Sequence, residues 1–326
     1  MKNLLIRLLI FVVTAGSLVP GAESQTRSSS TKRPFLKSTA LPDGVSARDV
    51  MFFSEGIQCY GRLFTPAGFG ADSKAPAVVV APGWGESASS VEPIAAALAV
   101  AGLVAMAIDY RGWGKSGGFL QTVDAVKTDD RLRFSQMTAR IRVRRKRLIP
   151  QHQILDIRNA LYFLQGEPGV ARTRVGLWGT GMAGGHVIVI AAIDARAKAV
   201  VADSPVMEGK DAPRKASSPT GAMLKAEQRR ARSDAEIGTP GGLNDIESKL
   251  ALNEYHPYWY LEQVPKETSV LFVYKDGDLK SRECVEAASK RLSGPADVIR
   301  TEVDVRGSKA MDAAAKAAAD WFLKHL

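Results

Sequence analysis

The sequence is poor in the residues that build metal clusters, disulfide frameworks and membrane spans. Its 326 residues include two cysteines and four histidines. Cys59 falls in an early apolar run and Cys284 in a late helical pattern, so we expect two free thiols rather than a disulfide. After the N-terminal region, no apolar run approaches the roughly 20 residues that a membrane-spanning helix needs. We predict neither a metal nor a cofactor.

The first 24 residues have the pattern of a secretory signal peptide. Lys2 and Arg7 give a basic start, residues 8–19 are mostly apolar, and Ala22-Glu23-Ser24 offers small residues for cleavage. Because the apolar stretch is shorter than a membrane-spanning helix, cleavage is favoured over anchoring. We therefore expect export, to a periplasm or out of the cell, with no transmembrane segment left after cleavage.

The rest of the chain has the composition of a globular protein. Hydrophobic residues make up 45% and charged residues 24% of the sequence. Residues 25–45 are rich in Ser, Thr, Lys and Pro, which predicts a flexible linker before a folded domain at 46–326. The net charge of +10 favours anionic partners without choosing among them.

Short apolar runs alternate with helical periodicity throughout the predicted domain. This alternation predicts βαβ units, and hence an α/β fold with a mostly parallel central sheet flanked by helices. Two connections, at about 117–150 and 208–250, are much longer than usual. Since such connections are elaborated at the carboxyl ends of parallel strands, we expect them to form a polar cap or lid.

Three glycine-rich motifs follow one another along this pattern. They are Val78–Gly85 (VVVAPGWG), Asp109–Ser116 (DYRGWGKS) and Val175–His186 (VGLWGTGMAGGH). In this order they resemble the oxyanion loop, the Asp-x-Arg-Gly-x-Gly-x-Ser turn and the nucleophile elbow of the α/β-hydrolase superfamily. The resemblance covers about 48–326 and is greatest to the dienelactone-hydrolase and serine-aminopeptidase-like branch. It implies the α/β-hydrolase fold and an ancestry in ester or amide hydrolysis.

The nucleophile position departs from that family. An elbow reads Gly-x-Ser-x-Gly, because a sharp strand-to-helix turn must expose the hydroxyl between small neighbours. Here the pentapeptide is Gly179-Thr180-Gly181-Met182-Ala183, which places Gly181 at the nucleophile position. A register shifted by two residues places Ala183 there instead. Neither register offers Ser, Cys or Asp, and the side chain of Thr180 points away from the pocket in an elbow.

The resemblance also assigns the acid and the base. Asp278, in the turn after a late strand, occupies the acid position, although Asp and Gly in such a turn can equally be structural. The base position lies in Gly307–Asp312 (GSKAMD), where Ala310 takes the place of the histidine. Because nucleophile, base and acid act as a unit, the Ser-His-Asp mechanism is predicted to be absent.

The remaining features leave three hypotheses open. By resemblance, the backbone N–H groups of Trp84 and Met182 form an oxyanion hole, which can hold a small acyl or carboxylate ligand. The leading hypothesis is therefore a binding or otherwise non-catalytic homologue. The second is an active hydrolase in which Asp278 or Asp203 activates a water molecule, with His186 or His256 assisting.

The third hypothesis rests on the segment 140–147 (RIRVRRKR), which has six cations and no acid. Arg144, Arg145 and Arg147 could form an anion-binding rim for an acidic polymer. The alternative is a solvated face whose long side chains cover apolar surface. Aromatic residues, which would favour stacking on single-stranded nucleic acid, do not interleave with these cations.

Overall fold

The computed structural model describes residues 41–123, 131, 135–209, 225, 228, 232, 246–301 and 308–326, with the side chains of 308–312 excepted. The predicted signal peptide, most of the predicted linker and most of the second long connection lie outside these residues. Within the described stretches, no helix is long and apolar enough to cross a membrane.

The fold is of the α/β type, as predicted. The strands are β1 (Ser46–Ser54), β2 (Ile57–Thr65), β3 (Ala75–Ala81), β4 (Val104–Ile108), β5 (Phe119–Thr122), β6 (Ile141–Arg144), β7 (Val170–Thr180), β8 (Ala199–Asp203), β9 (Ser269–Lys275) and β10 (Ala296–Thr301). Eight of them form one sheet in the order β1-β2-β4-β3-β7-β8-β9-β10, while β5 and β6 form a separate ribbon. The β1–β2 and β2–β4 pairs are antiparallel and every other neighbouring pair in the large sheet is parallel.

Helices cover both faces of the large sheet. They are α1 (Ala88–Val100), α2 (Pro150–Gly166), α3 (Met182–Ile193), α4 (Ile246–Asn253), a short 3-10 helix (Pro257–Gln263), α5 (Leu279–Ser289) and α6 (Ser308–His325). Helices α1 and α6 pack on one face, and α2 and α3 on the other. Consecutive residues of β3 point to opposite cores, with Val79 on the α2–α3 side and Val78 and Val80 on the α1–α6 side. Burial on both faces explains why β3 is a continuous apolar run.

The Asp109–Ser116 turn connects the carboxyl end of β4 to α1 and α2 through hydrogen bonds. One Asp109 carboxylate oxygen accepts the N–H of Ala88 (2.6 Å) at the start of α1, and the other accepts the N–H of Lys115 (2.7 Å). The buried Arg111 donates through Nε to Asp156 of α2 (2.7 Å). These charged groups are hydrogen-bonded, as buried charges must be, and they fix the loops at the edge where the elbow lies.

Candidate functional site

Gly181 alone forms the turn between β7 and α3. Its backbone has φ 57° and ψ −117°, a combination that is sparsely populated for residues with a Cβ atom. Among the described residues, and leaving out its chain neighbours, a Cβ atom added at Gly181 would have one neighbour within 4 Å, the Cα of Gly83 at 4.0 Å. The sharp strand-to-helix turn of a nucleophile elbow is therefore present, and the described part of the chain leaves open space where a nucleophile side chain would stand.

The residues around the turn hold it in this conformation. The N–H of Gly181 donates to the carbonyl of Asp203 (2.9 Å), and its own carbonyl accepts the N–H of Val206 (2.9 Å). A side chain at Gly179 would overlap the carbonyl of Ala183 in the first turn of α3. The turn is thus fixed by backbone bonds and close backbone packing, and none of these contacts needs a side chain at position 181.

Two backbone donors lie beside the turn. Met182 is the first residue of α3, so its N–H has no acceptor within the helix. The N–H of Trp84 has no acceptor among the described hydrogen bonds, and the indole Nε1 of the same residue is buried without a partner there. The Trp84 ring packs against a small apolar cluster that includes Met182. This arrangement places donors for a carbonyl oxygen next to the empty nucleophile position.

Asp278 has a structural role at the start of α5. It is exposed, and its Oδ1 accepts the N–H of Ser281 (2.9 Å) as the helix N-cap. The neighbouring Asp276 accepts the N–H of Gly277 (3.0 Å) within the same turn. Ala310 lies in the first part of α6, and its side chain is outside the described residues. The carboxylate predicted for the acid position therefore caps a helix, and residue 310, predicted for the base position, is alanine.

Asp203 lies closer to the elbow, at the carboxyl end of β8 and in register with Thr180 of β7. Its Oδ1 accepts the hydroxyl of Ser204 (3.0 Å), a residue held at the unusual φ of 44°. Burial raises the pKa of the Asp203 carboxyl, although the hydrogen bond from Ser204 works in the other direction. Of the two carboxylates named by the sequence, Asp203 is the one placed at the elbow.

His186 belongs to the core beneath the elbow. It is completely buried, with its Nε2 2.9 Å from Oε1 of Gln153 and its Nδ1 3.0 Å from the hydroxyl of Tyr255. That hydroxyl also donates to the carbonyl of Met182 (3.0 Å). Burial lowers the pKa of His186 to about 3, so the imidazole is neutral and a weak base.

His256 is also held by structural contacts. Its ring stacks on Trp259 with centroids 4.1 Å apart, and its Nε2 lies 2.9 Å from the carbonyl of Asn253. The two histidines that sequence reasoning placed near the pocket thus support α3 and the 3-10 helix, respectively.

Glu86, which no sequence motif singled out, also lies near the elbow. Its Oε2 accepts the N–H of Gly83 (3.1 Å) and the hydroxyl of Ser90 (3.2 Å). Gly83 is the residue whose Cα faces Gly181, so a second carboxylate lies near the elbow in addition to Asp203. Its position directly after the Gly83–Gly85 loop was the signal available in the sequence.

The basic segment packs onto the domain. Arg144 donates to Oε2 of Glu247 (3.2 Å), and Arg147 pairs with the same carboxylate. Arg145 donates to the carbonyls of Ser116 (2.6 Å) and Gly114 (2.7 Å). Through these contacts the three arginines fasten the β5–β6 ribbon and α4 to the domain.

The comparison of the sequence with protein families agrees with this geometry. Residues 26–209, more than half of the chain, match the family described as acetyl xylan esterase (AXE1). The chain belongs to the acetyl xylan esterase family. This membership confirms the α/β-hydrolase superfamily predicted from the three glycine-rich motifs.

Two curated relatives of this acetyl xylan esterase family member have low sequence identity to it. An uncharacterized 31.7 kDa protein in the traX-finO intergenic region of Escherichia coli is 29% identical over 157 residues, which are 48% of this chain and 44% of the relative. Thiohydrolase aneE of Aspergillus aculeatus is 26% identical over 155 residues, 47% of this chain and 40% of the relative. The chain therefore aligns with less than half the length of these curated relatives.

A solved structure shares the fold. A hypothetical protein of Pseudomonas aeruginosa superposes with a TM-score of 0.66 at 19% identity, covering 88% of this chain and 96% of the other. At that identity the likeness concerns the fold alone, and it agrees with the eight-stranded, mostly parallel sheet.

The packing around the elbow predicts different costs for two neighbouring glycines. Gly181→Ala should cost about 1–2 kcal/mol of unfolding free energy, because the added methyl group meets open space and only the positive φ is unfavourable. Gly179→Ala should cost clearly more, because its methyl group would overlap the backbone carbonyl of Ala183. Urea unfolding of both variants measures the difference, and equal costs would contradict the description of the turn.

The buried His186 predicts a dependence of stability on acid. Because its pKa is about 3 in the folded protein and about 6.5 when unfolded, only the unfolded chain binds a proton between these values. Its contribution to stability should therefore fall as the pH drops below 6.5, by up to about 1.4 kcal/mol per pH unit. In urea unfolding between pH 7 and pH 4, the free energy of unfolding should fall more steeply with falling pH for the wild type than for His186→Gln. Identical slopes would show that His186 is protonated in the fold.

Proposed function

We propose that this chain is an exported member of the acetyl xylan esterase family that binds an acyl compound at the elbow and does not cleave it by the Ser-His-Asp mechanism. The observation that carries the proposal is Gly181, which keeps the elbow conformation, φ 57° and ψ −117°, without supplying a hydroxyl. Ala310 at the base position and the helix-capping contact of Asp278 support the same conclusion. Export rests on the N-terminal signal pattern.

The ligand group that fits best is a neutral acyl carbonyl. The N–H groups of Trp84 and Met182 offer two donors, and the name of the family concerns an acetyl ester. A carboxylate ligand is less well matched, because Glu86 and Asp203 already place two acidic groups near the elbow and like charges at short range repel. Donors that lack acceptors among the described residues favour a ligand that accepts hydrogen bonds.

The proposal predicts binding without covalent chemistry. The mature wild-type protein should not be labelled by a fluorophosphonate probe and should not turn over p-nitrophenyl acetate beyond a low residual rate, since oxyanion donors alone can retain about 10³–10⁴-fold catalysis over water. Saturation-transfer NMR with the intact ester should show contact with the wild type. Gly181→Leu, whose side chain fills the space in front of Gly83, should weaken that contact.

The control restores the missing groups. Gly181→Ser combined with Ala310→His should gain fluorophosphonate labelling that neither single variant shows, because the nucleophile needs its base. Stoichiometric labelling of the wild type would overturn the proposal, as would an ester contact that Gly181→Leu leaves unchanged.

A second candidate is a hydrolase with a rearranged site, and Asp203 is the observation that favours it. Its raised pKa, its bond from the strained Ser204 and its place beside Thr180 are features expected of a general base for water. If ester turnover is found, Asp203→Asn should lower kcat by about 10²-fold or more. Asp278→Asn is the matched control, since the exposed helix cap should leave kcat within about twofold. Equal losses in both variants would exclude a specific role for Asp203.

A further inference from the structure

A positively charged cavity opens at the edge of the sheet opposite the elbow. Its volume is about 460 Å³, and it is bordered by the second half of α2, the start of β7 and the loop from α3 to β8. Because β7 and β8 are parallel and the elbow follows the carboxyl end of β7, this cavity lies at the amino ends of the strands. Its charged and aromatic lining side chains are Arg158, Tyr162, Arg172, Asp194, Arg196 and Lys198.

Asp194 fixes two of the cations. It is 7% exposed and accepts hydrogen bonds from Nε of Arg158 (3.1 Å) and from both Nε (2.8 Å) and Nη2 (2.5 Å) of Arg196. Burial works to raise the pKa of Asp194, but the hydrogen bonds from Arg196 and Arg158 hold it below its usual range. Arg196 also donates to Oε1 of Gln165 (3.1 Å). Both guanidinium groups are therefore held in place before any ligand arrives.

The two other cations carry charge that the described residues do not balance. Neither Arg172 nor Lys198 has an ion pair within the described part of the chain. Glu167, the acid that follows the end of α2, is paired with Arg48 instead. The cavity thus has four cations and the single carboxylate of Asp194.

Helix ends account for only part of this excess. Helices α2 and α3 both end at the cavity, and each C-terminus is equivalent to about half a negative charge. Together they offset about one of the three excess charges, so about two positive charges remain. A cluster that served only to balance the helix ends would not need Arg172 and Lys198.

An aromatic surface lies beside the charges. The guanidinium carbon of Arg196 lies 3.6 Å from the ring centroid of Tyr162, and Tyr162 is 58% exposed. Stacking orients the guanidinium plane. The rest of the ring offers flat apolar surface to a group attached to an anion.

We propose that this cavity binds a phosphate group, either inorganic phosphate or the phosphate of a small monoester. A phosphate monoester carries about −1.5 to −2 charges at pH 7, which matches the excess that remains in the cavity. Arginines held in fixed orientation are suited to oxygen atoms arranged around one centre. Arg158 supplies the oriented donors, because among the described contacts only its Nε is bonded to Asp194. Arg196 is bonded to Asp194 and Gln165 through Nε and both Nη atoms and supplies a fixed positive charge. Arg172 and Lys198 supply the charge that a ligand neutralises.

Titration calorimetry of the mature protein with phenyl phosphate and with inorganic phosphate, at constant ionic strength set with NaCl, tests the proposal. Saturable binding of one phosphate per chain is expected. Arg172→Gln and Lys198→Gln should each raise Kd about tenfold. Each substitution removes one positive charge of the protein that attracts the ligand, but it leaves the Asp194 contacts intact. Tighter binding of phenyl phosphate than of inorganic phosphate would assign the site to esters, and equal binding would assign it to free phosphate.

Lys316→Gln is the control for general charge. Lys316 is an exposed cation on α6, on the other face of the sheet, so its loss should leave Kd unchanged. The proposal is overturned if neither ligand binds, or if Lys316→Gln weakens binding as much as the cavity variants. Thermal unfolding of each variant establishes that it is folded.

The elbow variant Gly181→Leu should bind phosphate like the wild type, which separates this site from the proposed acyl site.

Discussion

The close approach of β7 and α3 around Gly181 is the constraint on which the carboxyl edge of the sheet depends. Because Gly179 has no side chain, the carbonyl of Ala183 can lie directly against the strand. Because Gly185 has none, the hydroxyl of Tyr255 can reach the carbonyl of Met182. These contacts aim the N-terminus of α3 at the loop after β3, and they would be the same with serine or glycine at the turn.

The persistence of the elbow therefore has a structural cause apart from catalysis. Ala183 and Val187 of α3 belong to the large core on the α2–α3 side, so a displaced helix would expose much of that core. A chain that lost its nucleophile would keep the turn for stability alone. The features that favour a ligand are different ones, namely donors near the turn that lack acceptors within the described part of the chain, above all the buried Nε1 of Trp84.

The sequence was informative where local pattern decides structure and weak where distant residues decide it. The apolar run Val104–Ile108 forms β4, as its composition favours, and the spacing of small residues located the elbow. The β5–β6 ribbon was not predicted, because arginines alternate with apolar residues in β6 and its pairing partner is distant in the sequence. The turn at Asp278 could serve as helix cap or as catalytic acid, and only its contact with Ser281 separates the two.

Charge shows the same limit most clearly. The densest run of cations in the sequence, 140–147, is held by Glu247, about 100 residues away in the chain, and by backbone carbonyls. The excess charge in the cavity comes instead from Arg158, Arg172 and the 196–198 loop, three segments in which no run of cations stands out. They meet because parallel strands bring their amino ends to one edge, where the helices that precede β7 and β8 also end. A run of cations in the sequence shows only which positive charges are neighbours along the chain. Anion binding depends instead on positive charges that the fold brings together and that nearby acids do not fully neutralise.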